Sequence, residues 1–109
     1  MGDGEEFVEP MVYMKVYKVR GEKLVAICDA ELLGIKLVEE NIVLHVDERF
    51  YGGQLVPLSI AIKEALTATI LNLVGENTVQ AAIKAGLVHP QAVLRVAGVP
   101  HAQMVKFIS

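Results

Sequence analysis

The run Arg95-Val-Ala-Gly-Val-Pro-His-Ala-Gln-Met104 places a histidine and a glutamine just past a glycine and a proline, between two apolar segments. A turn there uses Gly98 and Pro100 but has no need of His101 or Gln103. Gly98 is free to enter the left-handed region, while Pro100 fixes its own φ and holds Val99 extended. Together they aim His101 in a defined direction at small entropic cost, as a binding or catalytic group requires. Imidazole titrates near neutrality, and the Gln103 amide both donates and accepts. The plainer reading has His101 capping backbone groups of the turn and Gln103 finishing a strand edge.

A second loop with chemistry in it is Arg49-Phe-Tyr-Gly-Gly-Gln54. The pair Gly52 and Gly53 lets a ligand or another backbone approach closely, and their N–H groups beside Arg49 suit an anion. The strand–GxxxxGK[ST]–helix order of a phosphate loop is absent, and tight-turn geometry explains the pair as well. The candidate ligand-binding residues are thus Arg49, Tyr51, Gly52, Gly53, Gln54, Gly98, His101 and Gln103. His101 is also the candidate general acid or base, with Tyr51, Asp47 or Gln103 assisting.

Tyr13, Lys15 and Tyr17 make an aromatic–basic–aromatic stripe at strand spacing, which suits stacking of unpaired RNA bases. Tyrosines also pack on half-buried sheet faces with their hydroxyls wet, and the acidic net charge favours that. Gly75-Glu-Asn-Thr78 opens a helix whose N–H groups would hold an anion, or simply form an ordinary cap. His45, His89 and His101 lack paired ligand spacing, so no metal site is assigned and no cofactor is expected. Cys28 lies inside the apolar run Leu24-Val-Ala-Ile-Cys28 and reads as a buried, inert thiol.

The elements that must position these groups follow from hydrophobic period. Val12–Arg20 alternates as a strand, with Val12, Met14 and Val16 on one face and Tyr13, Lys15, Tyr17 and Val19 on the other. Gly21-Glu22 reads as the turn into a second strand, Lys23–Asp29. Asp29 is placed to cap a helical turn over Ala30–Leu33. Strands are expected over Ile35–Val38 and Ile42–Val46, the latter with Ile42, Leu44 and Val46 inward. Asp47 caps one further turn. From Pro57 the pattern predicts a helix to about Asn72, stopped at Gly75, then a second helix from Glu76-Asn77 to Gly86. Ala92–Ala97 and Gln103–Ile108 are read as the last strands, with Gly-Val-Pro-His-Ala in the turn between them.

Length and composition bound the rest. The chain has 109 residues, 53% of them hydrophobic, so it forms a single core without metals or disulfides. Residues 1–10 read as an acidic tail and 11–109 as one domain. A net charge of −3 disfavours non-specific duplex binding, although a local patch would escape that argument. The longest greasy stretch, Leu58 to Val74, carries Lys63 and Glu64, so no membrane span is expected; with no secretory pattern at the start, a cytoplasmic location is expected. The fold class expected is α+β: one largely antiparallel sheet with two adjacent helices on one face.

Several pieces of the chain resemble a small archaeal family of uncharacterised conserved proteins, a domain of unknown function. They are Tyr13-Met-Lys-Val-Tyr17, Leu24-Val-Ala-Ile-Cys-Asp29, Leu32-Leu-Gly34 and Phe50-Tyr-Gly-Gly53. Leu73-Val-Gly-Glu76, Ala82-Ile-Lys-Ala-Gly-Leu87 and Val99-Pro-His-Ala-Gln103 complete the set. The likeness spans about residues 12 to 107, and the family pattern carries a glycine where this chain has Ala97. The resemblance implies an archaeal, cytoplasmic, single-domain α+β protein and implies no activity. Three functions follow as expectations. The first is a binding module whose two loops line a polar cleft for a small ligand, a protein or single-stranded RNA. The second is a small enzyme using His101, and the third a structural homodimer.

Overall fold

Alternation of Val12, Met14 and Val16 with Tyr13, Lys15 and Tyr17 builds β1 (Met11–Val19), which pairs antiparallel with β2 (Glu22–Asp29). The computed structural model describes residues 8–106, so expectations for residues 1–7 and for Phe107 and Ile108 lie outside the described residues. The hairpin turn is Arg20-Gly21 rather than Gly21-Glu22, because both turn residues take positive φ, 52° and 82°, and Glu22 already pairs with Val19.

After β2 come a single 3₁₀ turn (Ala30–Leu32), β3 (Lys36–Glu39), β4 (Ile42–His45) and the one-turn helix α1 (Glu48–Tyr51). Then follow β5 (Gln54–Pro57), α2 (Leu58–Ala65), β6 (Ile70–Val74), α3 (Glu76–Lys84), a 3₁₀ turn (Pro90–Ala92), β7 (Leu94–Val96) and β8 (Val99–Val105). Six strands form one sheet in the order β5-β1-β2-β6-β8-β7, and β3-β4 is a separate hairpin. All neighbours in the large sheet are antiparallel except β2 and β6. The fold is α+β, with a mixed, mostly antiparallel sheet, a detached hairpin and three helices. Among the described residues no helix is long and apolar enough to cross a membrane.

The main departure from the sequence reading is β6. The helix from Pro57 ends at Ala65, and the residues expected to continue it form the strand at the centre of the sheet. Leu71, Leu73 and Val74 are fully buried and Ile70 is apolar too, so Asn72 alone breaks the run and the period-2 signal is lost. Thr67 and Thr69 end the helical stretch: the Thr67 hydroxyl donates back to the Glu64 carbonyl, and the Thr69 N–H joins the Lys23 carbonyl at 2.8 Å.

The helices α2 and α3 cover one face of the sheet. Val12, Val25, Ile27, Leu71 and Leu73 meet Ala61, Ala65, Val79 and Ala82 there in one cluster. Fully burying each of the valine, leucine and isoleucine side chains contributes roughly 1.5–3 kcal/mol. The start of α2 is held by Glu9, whose carboxylate accepts from the Ser59 N–H (2.7 Å) and hydroxyl (3.0 Å). α3 ends on Gly86 at φ 75°, with Leu87 N–H to Ala82 C=O and Gly86 N–H to Ile83 C=O, a Schellman motif.

Asp29 does not cap the 3₁₀ turn that follows it. Its side chain crosses to α3 and accepts from the N–H groups of Asn77 and Thr78 and from the Thr78 hydroxyl. The anion expected at that helix start is therefore the protein's own carboxylate, at 2% exposure. Gly75 lies against it at φ 115°, and a Cβ there would overlap the Asp29 carboxyl group.

Candidate functional site

The opposite face of the sheet is where the singled-out residues gather. Asp47 caps α1 by accepting from the Arg49 N–H at 2.8 Å, and Gly52 closes the turn onto the Glu48 carbonyl at 2.9 Å. The two glycines lie close to the chain itself. A Cβ on Gly52 would run into the Glu48 carbonyl, and one on Gly53 into the backbone of Met14 and Lys15. Their small size seats α1 on β1.

The Tyr13–Lys15–Tyr17 stripe forms that seat. Lys15 Nζ donates to the Arg49 carbonyl and the Tyr17 hydroxyl to the Phe50 carbonyl, each at 2.8 Å. Tyr17 and Phe50 stack with centroids 5.6 Å apart, and Phe50 meets Tyr51 edge-on at 4.9 Å. Tyr13 packs against the buried cluster on this face, and all three stripe residues are half-buried.

Docking α1 drives Tyr51 into a second core cluster with Ala26, Cys28, Val46 and Val74. Its ring is 3% exposed, and its hydroxyl donates to Asn72 Oδ1 on β6. The same oxygen lies 3.2 Å from His101 Nε2 on β8. Sheet register explains the meeting: Asn72 faces Gln103 and Val74 faces His101 across β6 and β8. Residues 51, 72 and 101 thus converge from three elements on one amide oxygen.

Burial sets the charge state of this cluster. It raises the Tyr51 pKa above the usual phenol range, pushes the Cys28 thiol up to about 12, and lowers His101 from its ordinary value. At neutral pH all three are uncharged, and Cys28, fully buried, is no nucleophile.

His101 is not in a turn. Ala97-Gly98 makes the two-residue bend at φ 51° and 81°, and Val99 to Ala102 already belong to β8. The misreading came from Pro100, which lies inside the strand, fully buried. Gly98 is at the bend, where its carbonyl accepts from Arg95 Nη1 at 3.0 Å. Gln103 is exposed on the same face as His101. Gln54 is not part of the cluster: it lies on the edge strand β5, with β1 and β2 between it and β6. The Arg49 side chain is exposed, beyond the cap its N–H makes.

His89 accepts from the Gln91 N–H at 3.0 Å, and His45 sits 4.0 Å from Asp47. Among the described residues no three His, Cys, Asp or Glu side chains are grouped to hold a metal. Ile42, expected inward, is 55% exposed because its hairpin stands apart from the main sheet.

Asn72 is the site residue that sequence reading misses, since it falls in the stretch read as helix. The available signal is a lone amide in the otherwise apolar run Ile70-Leu-Asn-Leu-Val74. One side-chain step along β6, about 7 Å away, Ile70 lines a cleft of about 400 Å³. Tyr17, Val19, Leu24 and Phe50 complete its apolar wall, and Arg20 and Glu22 line it too.

A family model described as "Protein of unknown function (DUF424)" matches residues 17–107. The chain is also similar to an uncharacterised conserved protein from Methanopyrus kandleri, an archaeal-like structural relative. The TM-score is 0.76 at 26% identity, over 91% of this chain and 96% of that one. No curated protein matches the chain.

Proposed function

This chain belongs to the DUF424 family, and we propose that it is a binding module for a small organic ligand, held by the Tyr51–Asn72–His101 cluster and the adjoining apolar cleft. One observation carries this reading. Three side chains remote in sequence share one amide oxygen on the sheet face that α2 and α3 leave uncovered, beside a cleft of about 400 Å³. Small-molecule sites have this make-up: mostly apolar walls of a few hundred Å³ and a few fixed polar groups. The aromatic stripe supports a cleft ligand over an extended RNA strand, because Lys15 and Tyr17 are already bonded to α1.

Amide-resolved NMR of the full chain with a panel of aromatic fragments tests the reading, with indole as the first member. The expected result is shifts confined to Tyr17, Leu24, Ile70, Asn72 and His101 at millimolar fragment. Shifts on the α2–α3 face instead, or no shift at all, would overturn it.

The observation favouring a second reading, a small enzyme, is that His101 is neutral and so able to accept a proton. In any turnover assay established for the chain, unchanged kcat in His101→Ala would remove the proposed base.

A further inference from the structure

The cleft that Ile70 lines has two charged residues in its wall, Arg20 and Glu22, on either side of Gly21 at the β1–β2 turn. Both are exposed, and among the described residues neither enters an ion pair, with the other or with anything else. The rest of the wall is aliphatic or aromatic, so these two side chains line it with their methylene stems and hold their charged heads in water at its mouth. One cation and one anion thus stand at the rim of a single apolar cleft.

The turn itself does not account for the arginine. Arg20 sits at φ 52°, and two-residue hairpin turns with positive φ favour Asn, Asp or Gly there. Val19, next to it, is 60% exposed although it also lines the cleft. An occupant would cover that valine and give both charged heads a partner.

Resting on the ligand-binding reading above, we infer that the cleft takes a free aromatic α-amino acid. Such a molecule carries a carboxylate and an ammonium on one carbon, a methylene away from its ring. The Arg20 guanidinium donates to the carboxylate, and the ammonium donates to the Glu22 carboxylate. The ring enters toward Leu24 and Ile70 and meets the Tyr17–Phe50 pair, whose centroids are 5.6 Å apart. A volume of about 400 Å³ lies at the small end for ligand pockets and suits one such molecule. A ligand with a single charge would bring it against the like charge of either Arg20 or Glu22, and a neutral one would leave both unused.

The test is an NMR titration of the full-length chain with four ligands that share one ring. Tryptophan carries both charges, tryptamine lacks the carboxylate, indole-3-propionate lacks the ammonium, and indole lacks both. Tryptophan should bind tightest, with each singly charged relative roughly twofold to fivefold weaker, the scale of exposed ion pairs. If indole shifts Tyr17, Leu24 and Ile70 but tryptophan binds no tighter than the other three, only the amino-acid assignment fails. If none of the four shifts the cleft, the binding reading fails with it. Arg20→Asn should lower tryptophan to the wild-type affinity of tryptamine, and Glu22→Gln should lower it to that of indole-3-propionate. Unchanged tryptophan binding in either variant would overturn the role of that charge; the wild-type series stands alone should a variant not fold. The preference for tryptophan over indole should shrink at about 1 M salt, and its persistence there counts against the paired charges. Leucine, with the same two charges and no ring, should bind more weakly than tryptophan, and equal binding would overturn the aromatic class. N-acetyltryptophanamide, which stands in for a residue inside a peptide, should also bind more weakly; equal binding would overturn the free amino acid.

Discussion

The two faces of the six-stranded sheet are built from the same strands yet differ in what covers them. On one face α2 and α3 seal an aliphatic layer, and the one buried carboxylate among the described residues, Asp29, is matched by two N–H groups and a hydroxyl of α3. On the other, among the described residues, α1, a 3₁₀ turn and a hairpin lie over the sheet, and the half-buried Asn72 and His101, each with a side-chain nitrogen that has no protein partner there, stand near the cleft that Ile70 lines. The comparison teaches a division of labour. A face whose polar groups are all internally satisfied holds the fold, and a face whose polar groups are half satisfied is where a ligand gains from binding.

The largest break in that comparison should come from the sealed face. Leu73→Ala removes a fully buried side chain between β6 and the helices, and we expect a loss of about 3 kcal/mol in denaturant unfolding. A loss smaller than that of any substitution on the open face would contradict the division. Asp29→Ala should follow at about 2 kcal/mol, since it leaves the start of α3 uncapped and the buried Thr78 hydroxyl unpaired. Loss of α3 helicity by circular dichroism, ahead of global unfolding, is the accompanying sign.

On the open face the effects shrink. Tyr51→Phe should cost about 1 kcal/mol and move the Asn72 side-chain amide resonance, because the aromatic packing stays and one hydrogen bond goes. Ala97→Gly should raise stability by somewhat under 1 kcal/mol, measured as a higher denaturant midpoint. Ala97 sits at φ 51°, where glycine is unstrained, although a more flexible unfolded chain offsets part of the gain.

The smallest effect is a pH slope. Burial lowers the His101 pKa in the folded chain, so the unfolded chain binds that proton more readily. The neutral-His contribution to stability is full above the unfolded value, about 6.5, and is lost as pH falls through the folded one. His101→Gln should flatten that stretch of the stability–pH curve relative to wild type, and parallel curves would show that His101 is not held neutral.

Much of the fold was legible in local signals. The β1–β2 hairpin follows from strict alternation and a glycine turn, and α3 from its apolar spacing and the Gly86-Leu87 stop. The site was half legible. His101 and Tyr51 stand out as polar groups beside stiffened or glycine-rich bends, yet the bend at His101 turned out to be strand. Asn72 was hidden because Ile70–Val74, apolar on both faces but for that one amide, carries no clear alternation to separate it from the helix before it. Asp29 was assigned to its nearest helical turn, since nothing local tells a carboxylate to reach residues 77 and 78.

The amino-acid order by itself determined the α+β class and the two loops rich in candidate groups, because periodicity and turn chemistry act over a few residues. Tertiary structure alone decided that β6 is a strand parallel to β2, that Asp29 caps α3, and that Tyr51, Asn72 and His101 share one oxygen. Those outcomes depend on which strands pair and in what register, and that is set by burying the whole apolar surface at once.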